Sequence, residues 1–189
     1  MSATARRTLL LPHPDTSRWQ PSVSIIIPAH NEESVITETV RNMLGIHYPD
    51  FEVVVVDDRS TDGTSRALQP LLTPANHQLV LMRRPDGALP GKAAVLNDAL
   101  SACRGEVVCV FDADARVSPD FLSRTLPLLA SGRTGGVQAR KIYRNARQNI
   151  LTWLLDAEYR IDAHFLRERT QRGSSAEMRG NGQVMRRDA

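Results

Sequence analysis

The sequence is poor in cysteine and in long apolar runs, and each shortage excludes a class of protein. Its 189 residues include two cysteines, Cys103 and Cys109, too few for the disulfide scaffold of a small secreted domain. It has no run of about 18 apolar residues that could span a bilayer. The apolar residues 9–11 are too few for the apolar region of a signal peptide. We therefore expect the chemistry of this chain to face the cytosol.

A concentrated charge of one sign is also missing. The chain has 24 Lys and Arg residues against 21 Asp and Glu residues, with a formal net charge of +3. Basic residues gather between Arg140 and Arg187, but five carboxylates are mixed among them: Asp156, Glu158, Asp162, Glu168 and Glu177. This mixture indicates a solvated or membrane-facing surface, because nucleic-acid-binding proteins usually carry a basic stripe. We expect no nucleic-acid partner.

The first apolar run, at residues 23–27, is not followed by a glycine-rich phosphate loop. A dinucleotide-dependent dehydrogenase needs a G-x-G-x-x-G turn at that position. A nucleotidyltransferase would need a loop rich in glycine and arginine there, and residues 28–33 contain no glycine. Both classes are therefore disfavoured.

Apolar, β-branched runs alternate with helical patterns along most of the chain. Strands are predicted at residues 23–27, 51–56, 78–83, 106–111 and 136–143. Helices are predicted between them, with Asn31 capping the first and Lys92 beginning the third. This alternation predicts an α/β fold, an open and mostly parallel sheet flanked by helices. Residues 1–21 carry three prolines and no periodic pattern, so we expect a leader or loose arm before a single domain at residues 22–189.

Polar residues cluster where three of the predicted strands end. The clusters lie at residues 28–32, 57–62 and 112–114. In open parallel sheets, ligands bind beyond the carboxyl ends of the strands, where the strand order reverses. The sequence therefore predicts a functional site at this edge of the sheet.

The cluster at residues 112–114 has the sequence Asp-Ala-Asp. In an extended backbone, residues two apart point to the same side, so the carboxylates of Asp112 and Asp114 are expected to converge. Two converging carboxylates repel each other unless a cation lies between them. Mg²⁺ or Mn²⁺ would satisfy both and keep open positions for phosphate oxygens. Such an ion would take up the charge that develops on a leaving diphosphate.

Residues in the other clusters point to a nucleotide. Asp58 follows the second strand and can accept hydrogen bonds from the imide of uracil or from ribose hydroxyls. Asp62 and Gly63 are typical of a turn and are expected mainly to shape the loop. Lys92 begins a helix, and an ammonium beside a helix N-terminus favours phosphate. His30 is interpreted as a surface histidine with no special role.

An apolar stripe at helical spacing follows Asn149. Its members are Ile150, Leu154, Ala157, Ile161 and Phe165. The favoured interpretation is a helix over residues 150–166 whose stripe packs on the sheet. The alternative is a helix that lies along a membrane surface.

Four ordered motifs, at residues 23–33, 54–64, 91–97 and 111–114, resemble glycosyltransferase family 2. The resemblance implies a GT-A type (Rossmann-like) fold, a nucleotide-diphosphate sugar donor such as a UDP-sugar, a divalent metal and inversion at the anomeric carbon. It makes Asp112 and Asp114 the metal ligands. It also implies these nucleotide contacts, with Lys92 beside the diphosphate: Pro28, Ala29, Glu32, Asp58, Lys92 and Asp112.

The segment containing Gly180, Asn181 and Gly182 resembles the part of the family that lies beside the sugar and the acceptor. The long helix after Asn149 resembles that of members that carry membrane segments and make polysaccharides or glycolipids. The resemblance therefore implies a glycan or lipid acceptor. It also implies a cytoplasmic location at the inner face of the membrane, through segments absent from this chain.

The family's general base belongs to an acidic motif that we expect beyond Ala189. General base catalysis contributes about 10²–10⁴-fold to a rate. We therefore expect a fragment, or a truncated gene product, that binds donor and metal but transfers the sugar slowly or not at all. The alternative is a non-catalytic nucleotide-binding or interaction module derived from such an enzyme.

Overall fold

The computed structural model describes residues 19–131, 133–142, 146–174 and 177–189. Its strands form one sheet. In those residues the strands are β1 Val23–Ala29, β2 Phe51–Asp57, β3 Leu79–Arg83, β4 Val107–Val110, β5 Gly136–Gln138 and β6 Gln183–Arg186. The helices are α1 Ile36–Leu44, α2 Thr64–Leu68, α3 Lys92–Ala102, α4 Phe121–Thr125 and α5 Ile150–Gln171. The strand order across the sheet is β3-β2-β1-β4-β6-β5.

Strand β1 lies at the centre of the sheet and pairs in parallel with β2 on one side and β4 on the other. Strand β3 adds in parallel to β2. The central strands consist mostly of Val and Ile and are buried, as expected for a sheet covered on both faces. Strand order reverses at β1, so the crevice between the carboxyl ends of β1 and β4 is the expected ligand position. The predicted mostly parallel α/β fold is confirmed.

Helices cover both faces of this sheet. Side chains of α1, α2 and α4 pack with one set of buried strand residues, and Val95 and Ala99 of α3 pack with the other set. The aliphatic side chains that fill these two layers include Ile25 and Val55 on one face and Ile26 on the other. This packing fixes the strands and leaves their carboxyl-terminal loops to carry the polar groups.

Asn31 does not cap the first helix, so that prediction is wrong. Helix α1 begins at Ile36, and Asn31 has a left-handed backbone with φ of 57°. Its side-chain oxygen instead accepts a hydrogen bond from the backbone N–H of Thr61 at 2.8 Å. Asparagine tolerates this conformation better than most residues. Asn31 therefore joins the loop after β1 to the loop after β2.

The carboxyl-terminal part of the sheet differs from the prediction. The strand predicted at residues 136–143 ends at Gln138, and Tyr143 lies outside the described residues. Strand β6 was not predicted; it pairs antiparallel with both β4 and β5. Its four residues are too few to show a clear alternation, and only Val184 among them is fully buried.

The prediction that the apolar stripe of α5 packs on the sheet is also wrong. Ile150, Leu154, Ile161 and Phe165 are all more than half exposed. The buried residue of this helix is Asp156, whose carboxylate accepts a hydrogen bond from Arg160 at 2.6 Å. Periodicity identifies an apolar face but not what covers it, and here the helix turns that face outward. Within the described residues, no helix combines the length and the apolar character needed to cross a bilayer.

The arm predicted at residues 1–21 falls mainly on residues 1–18, outside the described residues. Its last residues are not loose. Trp19 packs against the core and lies 5.7 Å from the guanidinium of Arg186, measured from the ring centre. The hydroxyl of Tyr48 donates to the carbonyl of Pro21 at 2.8 Å. These contacts attach the segment before β1 to the domain.

Candidate functional site: a polar edge of the sheet

The polar loops after β1, β2 and β4 meet at the carboxyl edge of the sheet, as the sequence predicts. Pro28 and Ala29 end β1, and the backbone N–H of Asp58 donates to the carbonyl of Ala29 at 2.8 Å. Parallel pairing aligns Ala29 with Asp57, the last residue of β2. Consequently Asp58 lies directly beside the end of the central strand.

Two arginines hold the carboxylate of Asp58. Arg59 donates from Nε to Oδ1 at 2.9 Å and from Nη2 to Oδ2 at 3.2 Å. Arg84 donates from Nη1 to Oδ1 at 2.7 Å. An ionised carboxylate offers about four acceptor positions, so about one remains for an N–H or O–H group of a ligand.

Arg84 is the first residue after β3, and its side chain is only 2% exposed. Besides Asp58, it binds the carboxylate of Asp98 on α3 through Nε at 2.7 Å and the carbonyl of Leu89 through Nη2 at 2.9 Å. One guanidinium therefore links the loop after β2, the loop before α3 and α3 itself. Sequence reasoning missed this residue, although it follows a predicted strand at the same edge as the three polar clusters.

The carboxylates of the neighbouring residues Asp57 and Asp58 are both ionised at neutral pH. Hydrogen bonds from Arg59 lower the pKa of Asp58; partial burial opposes them, and Arg84 adds to the lowering. Burial by itself would raise the pKa of Asp57, but hydrogen bonds from Ser60 and Ser65 outweigh it, so this pKa also lies below its usual value. The backbone N–H of Ser60 is 2.9 Å from Oδ1 of Asp57. Asp57 therefore fixes the turn that presents Asp58.

These depressed pKa values predict a loss of stability in acid. A carboxylate whose pKa is lowered in the folded state stabilises the fold fully when the pH is above its pKa in the unfolded state, here 3.8. This stability is lost as the pH falls through its pKa in the folded state. We expect the urea midpoint to fall as pH drops below about 4. The Asp58→Asn variant should show a smaller fall, because it removes one of the carboxyls whose pKa is lowered. An equally steep fall in the variant would contradict the assignment.

The Asp-Ala-Asp segment occupies a turn, not an extended strand as predicted. Strand β4 already ends at Val110, and the backbone N–H of Ala115 donates to the carbonyl of Asp112 at 3.0 Å. Ala113 is buried in the core, which anchors the turn. The side chain of Asp112 is 40% exposed and Asp114 is exposed. Both carboxylates are therefore accessible to a cation from solvent.

Lys92 lies beside this turn. Its ammonium is 2.6 Å from Oδ1 of Asp112, although the two residues come from α3 and from the loop after β4. Gly180 also lies close, since a Cβ atom built on it would be 4.0 Å from Nζ of Lys92. The first residue of α3 thus brings its charge to the predicted metal ligand and to the segment predicted for the sugar.

Hydrogen bonds attach the segment around Asn181 to the same place. The backbone N–H of Asp112 donates to the side-chain oxygen of Asn181 at 3.3 Å, and the N–H of Gly182 donates to the carbonyl of Val110 at 2.8 Å. Gly182 has φ of 81°, and a Cβ atom there would lie 3.1 Å from that of Ala139. The site needs glycine here because the backbone is left-handed and closely packed.

Gln138 is a second residue that sequence reasoning missed. Its amide nitrogen donates to the carbonyl of Asn181 at 2.9 Å, and its amide oxygen accepts from the backbone N–H of Arg179 at 2.7 Å. It holds both sides of the turn that carries Gly180. A glutamine at the end of a three-residue strand gives no sequence signal of this kind.

Negative charge accumulates near Glu32. Burial is the largest cause that raises the pKa of its carboxyl, followed by the charges of Asp114, Asp62 and Asp112. A divalent cation held by Asp112 and Asp114 would relieve this repulsion, so the residues present fit such an ion. In the described part of the chain, no three or more His, Cys, Asp and Glu side chains are grouped to hold a metal. A metal here would therefore need further oxygen ligands, which a diphosphate can supply.

Comparison with known proteins decides the family. The model of the glycosyl transferase family 2 matches residues 24–189, which is most of the chain. The chain belongs to glycosyl transferase family 2. The family resemblance inferred from the four sequence motifs is thereby confirmed.

Similar proteins and solved structures are also glycosyltransferases or related synthases by name. The beta-monoglucosyldiacylglycerol synthase of Nostoc sp. is 41% identical over 171 residues, which are 89% of this chain and 36% of the relative. The mannosyltransferase of Pyrobaculum calidifontis, solved with GDP-Man and Mn²⁺, is 37% identical, with a TM-score of 0.61 over 66% of this chain and 36% of that chain. S. aureus TarS with UDP-GlcNAc is 26% identical, with a TM-score of 0.52 over 68% of this chain and 38% of that one.

The predicted GT-A type fold is confirmed by these structural neighbours and by the sheet described above. The chain spans about a third of the length of the Nostoc relative. The chain therefore corresponds to one part of that relative.

Proposed function

We propose that the residues at the carboxyl edge of the sheet form the donor-binding part of a glycosyltransferase. Such an enzyme transfers a sugar from a nucleotide-diphosphate sugar to a hydroxyl group. The observation that carries the proposal is the cluster of Lys92, Asp112 and Asn181 on the same sheet edge as Asp58. Lys92 carries an ammonium for phosphate, Asp112 carries a carboxylate for a metal, and Asp58 carries an acceptor for a base. These three groups match the parts of such a donor.

The proposed donor is a UDP-sugar. Asp58 is ionised and has about one acceptor position left, which fits the imide N–H of uracil. The TarS structure with UDP-GlcNAc supports this choice. The mannosyltransferase structure contains GDP-Man, and guanine also offers an N–H to a carboxylate. The base is therefore the finer part of the proposal, and GDP is the competitor to test against UDP.

Each residue has a proposed role. Pro28, Ala29 and Glu32 border the nucleoside. Lys92 binds the diphosphate once its ammonium is released from Asp112. Asp112 and Asp114 hold Mg²⁺ or Mn²⁺, which when bound supplies positive charge that stabilises the leaving diphosphate. The segment from Gly180 to Gly182 borders the sugar. In the proposed transfer, the acceptor oxygen bonds to the anomeric carbon from the face opposite the diphosphate as the bond between that carbon and the diphosphate breaks. The anomeric configuration therefore inverts, and a general base takes the hydroxyl proton.

The proposed acceptor is a lipid, and the proposed location is the cytoplasmic face of a membrane. The name of the Nostoc relative, a beta-monoglucosyldiacylglycerol synthase, supports a glycolipid product. Because this chain spans about a third of that relative, transfer is proposed for the whole protein. For these 189 residues we propose donor and metal binding.

Calorimetric titration of UDP into the purified chain, with and without Mn²⁺, tests this proposal. We expect binding that depends on the metal and that is stronger for UDP than for GDP. The Asp112→Ala and Asp114→Ala double variant should lose it. Changing an outer-shell partner alone typically costs 10- to 100-fold in metal affinity, so removing both ligands should cost more than about 100-fold.

Asp120→Ala is the matched control, because this exposed carboxylate pairs with Arg124 at 3.7 Å at the start of α4. Its binding should equal that of the unmodified chain. If UDP does not bind under any of these conditions, the proposed function is wrong. Metal-dependent binding that survives in the double variant would place the ion elsewhere.

A further inference from the structure

A cleft of about 450 Å³ lies between α5 and the segment that follows β5. Its aliphatic and aromatic lining comes mainly from α5: Leu155, Tyr159, Ile161, Phe165 and Leu166. Asp162 and Arg179 also line it. A pocket with an apolar wall and a few polar groups is the usual form of a small-molecule site.

The cleft borders the segment that carries Gly180 and Asn181, through Gln138 and Arg179. Gln138 lines it and donates through its amide nitrogen to the carbonyl of Asn181 at 2.9 Å. Asn181 in turn accepts from the backbone N–H of Asp112 at 3.3 Å. Two hydrogen bonds therefore join the wall of the cleft to the residue proposed to hold the metal. A ligand in the cleft would therefore lie next to the segment from Gly180 to Gly182, which is proposed to border the sugar.

The charges in the cleft largely cancel. Arg140, Lys141 and Arg179 line it together with Glu158 and Asp162. Arg179 binds Asp162 at 2.8 Å and also Glu177, which is outside the lining, at 2.7 Å, so three cations face three carboxylates. The ammonium of Lys141 lies 5.7 Å from the centre of the Tyr159 ring. The paired groups retain acceptor and donor positions for hydroxyls but offer little net charge. This chemistry favours a neutral, hydroxyl-bearing ligand over a charged one.

The apolar wall continues onto the surface. Ile161 and Phe165 line the cleft and are 58% and 63% exposed. They belong to the outward stripe of α5 that also contains Ile150 and Leu154. An exposed apolar surface that borders a polar site is typical of a binding surface. Here Ile161 and Phe165 let an alkyl chain leave the cleft, whereas Ile150 lies about 16 Å farther along the helix, beyond the reach of a six-carbon chain.

We propose that this cleft binds the acceptor, and that the acceptor is a neutral acyl lipid with a free hydroxyl. Its hydroxyl head lies among Gln138, Asp162 and Arg179, and its acyl chain contacts Ile161 and Phe165. A glycan has no alkyl chain and would leave these apolar side chains without a partner. This inference rests on the proposed function, since it names the acceptor of the same site.

The test measures binding of 1,2-dihexanoylglycerol to the whole chain by calorimetry, in the presence of UDP and Mn²⁺. In the Ile161→Gln and Phe165→Gln double variant we expect the affinity to fall at least about tenfold, because two apolar contacts are lost. The control is the Ile150→Gln and Leu151→Gln double variant, which changes exposed residues of the same helix outside the cleft. Its affinity should not change. All four side chains are exposed, so both variants should fold.

Three results would overturn the inference. One is an equal fall in both variants, which would indicate adsorption to apolar surface in general. Another is the absence of lipid binding while UDP still binds. The third is binding of a neutral oligosaccharide at the cleft in place of the lipid. Failure of UDP binding in the unmodified chain would instead contradict the proposed donor function. The lipid inference would then be tested only by comparing the lipid affinities of the two double variants.

Discussion

Replacing Arg84 with methionine should weaken UDP binding by about 10- to 100-fold, because hydrogen bonds to charged groups are among the stronger ones. The buried guanidinium holds Asp58 at 2.7 Å and is itself held by Asp98 at 2.7 Å. Without it, the carboxylate of Asp58 keeps only Arg59, which is its neighbour on the same loop. The loop before α3 also loses its anchor at Leu89. Calorimetry with UDP and Mn²⁺ measures the effect.

Two further variants distinguish a role of Arg84 in positioning Asp58 from a general loss of folding. Asp98→Asn leaves Arg84 in place but weakens its support, so it should give a smaller loss in the same direction. Arg66→Met is the control, because this arginine is 83% exposed and lies 3.9 Å from its partner, Glu33. It should bind UDP normally. If Arg84→Met binds UDP as well as the unmodified chain does, Asp58 does not depend on Arg84 for its position.

The sequence predicts the parallel half of the fold well because its strands are buried on both faces. Runs such as residues 53–56 contain only valine, and such a run has few alternatives to a central strand. The antiparallel half is different. Strands β5 and β6 contain three and four residues, and β6 is held to β4 by pairing partners more than 70 positions away. Short strands of this kind depend on distant contacts that local patterns do not contain.

The candidate site shows the same division. Position at the strand ends selected Asp58 and Asp112, and position at the start of a helix selected Lys92; the structure brings Lys92 and Asp112 into contact. The predicted extended geometry of the Asp-Ala-Asp segment was wrong: β4 ends at Val110, and the segment forms a turn with Ala113 buried in the core. Arg84 was missed because an arginine after a strand is common, and only its burial reveals its role.

Helix α5 shows where periodicity stops being informative. A stripe such as Ile150, Leu154 and Ile161 is produced equally by a core-facing helix and by one that contacts a ligand or membrane. In this helix the polar side contains the buried residue. Asp156 is buried and paired with Arg160, while the stripe remains exposed.

A change far from the site should have the largest effect on stability. In Gly105→Ala, the new Cβ atom would lie 2.4 Å from the backbone nitrogen of Ser24 and 2.7 Å from the carbonyl carbon of Val23. Both atoms belong to β1, the central strand, which cannot move without disturbing β2 and β4. Overpacking of this kind costs about 3 kcal/mol or more. In a chain of this length, that corresponds to a melting temperature lower by about 6–12 °C.

The clash would also break a buried polar network. The N–H of Gly105 donates to the hydroxyl of Ser24 at 2.8 Å, and that hydroxyl donates to the buried carboxylate of Glu52 at 2.5 Å. Gly87→Ala is the matched control, since no atom lies within 4 Å of its added Cβ, and it should change stability by less than about 0.5 kcal/mol. Thermal melts followed by circular dichroism compare the two. Equal melting temperatures would mean that β1 adjusts to the extra methyl group, and that the close approach of Gly105 does not constrain the centre of the sheet.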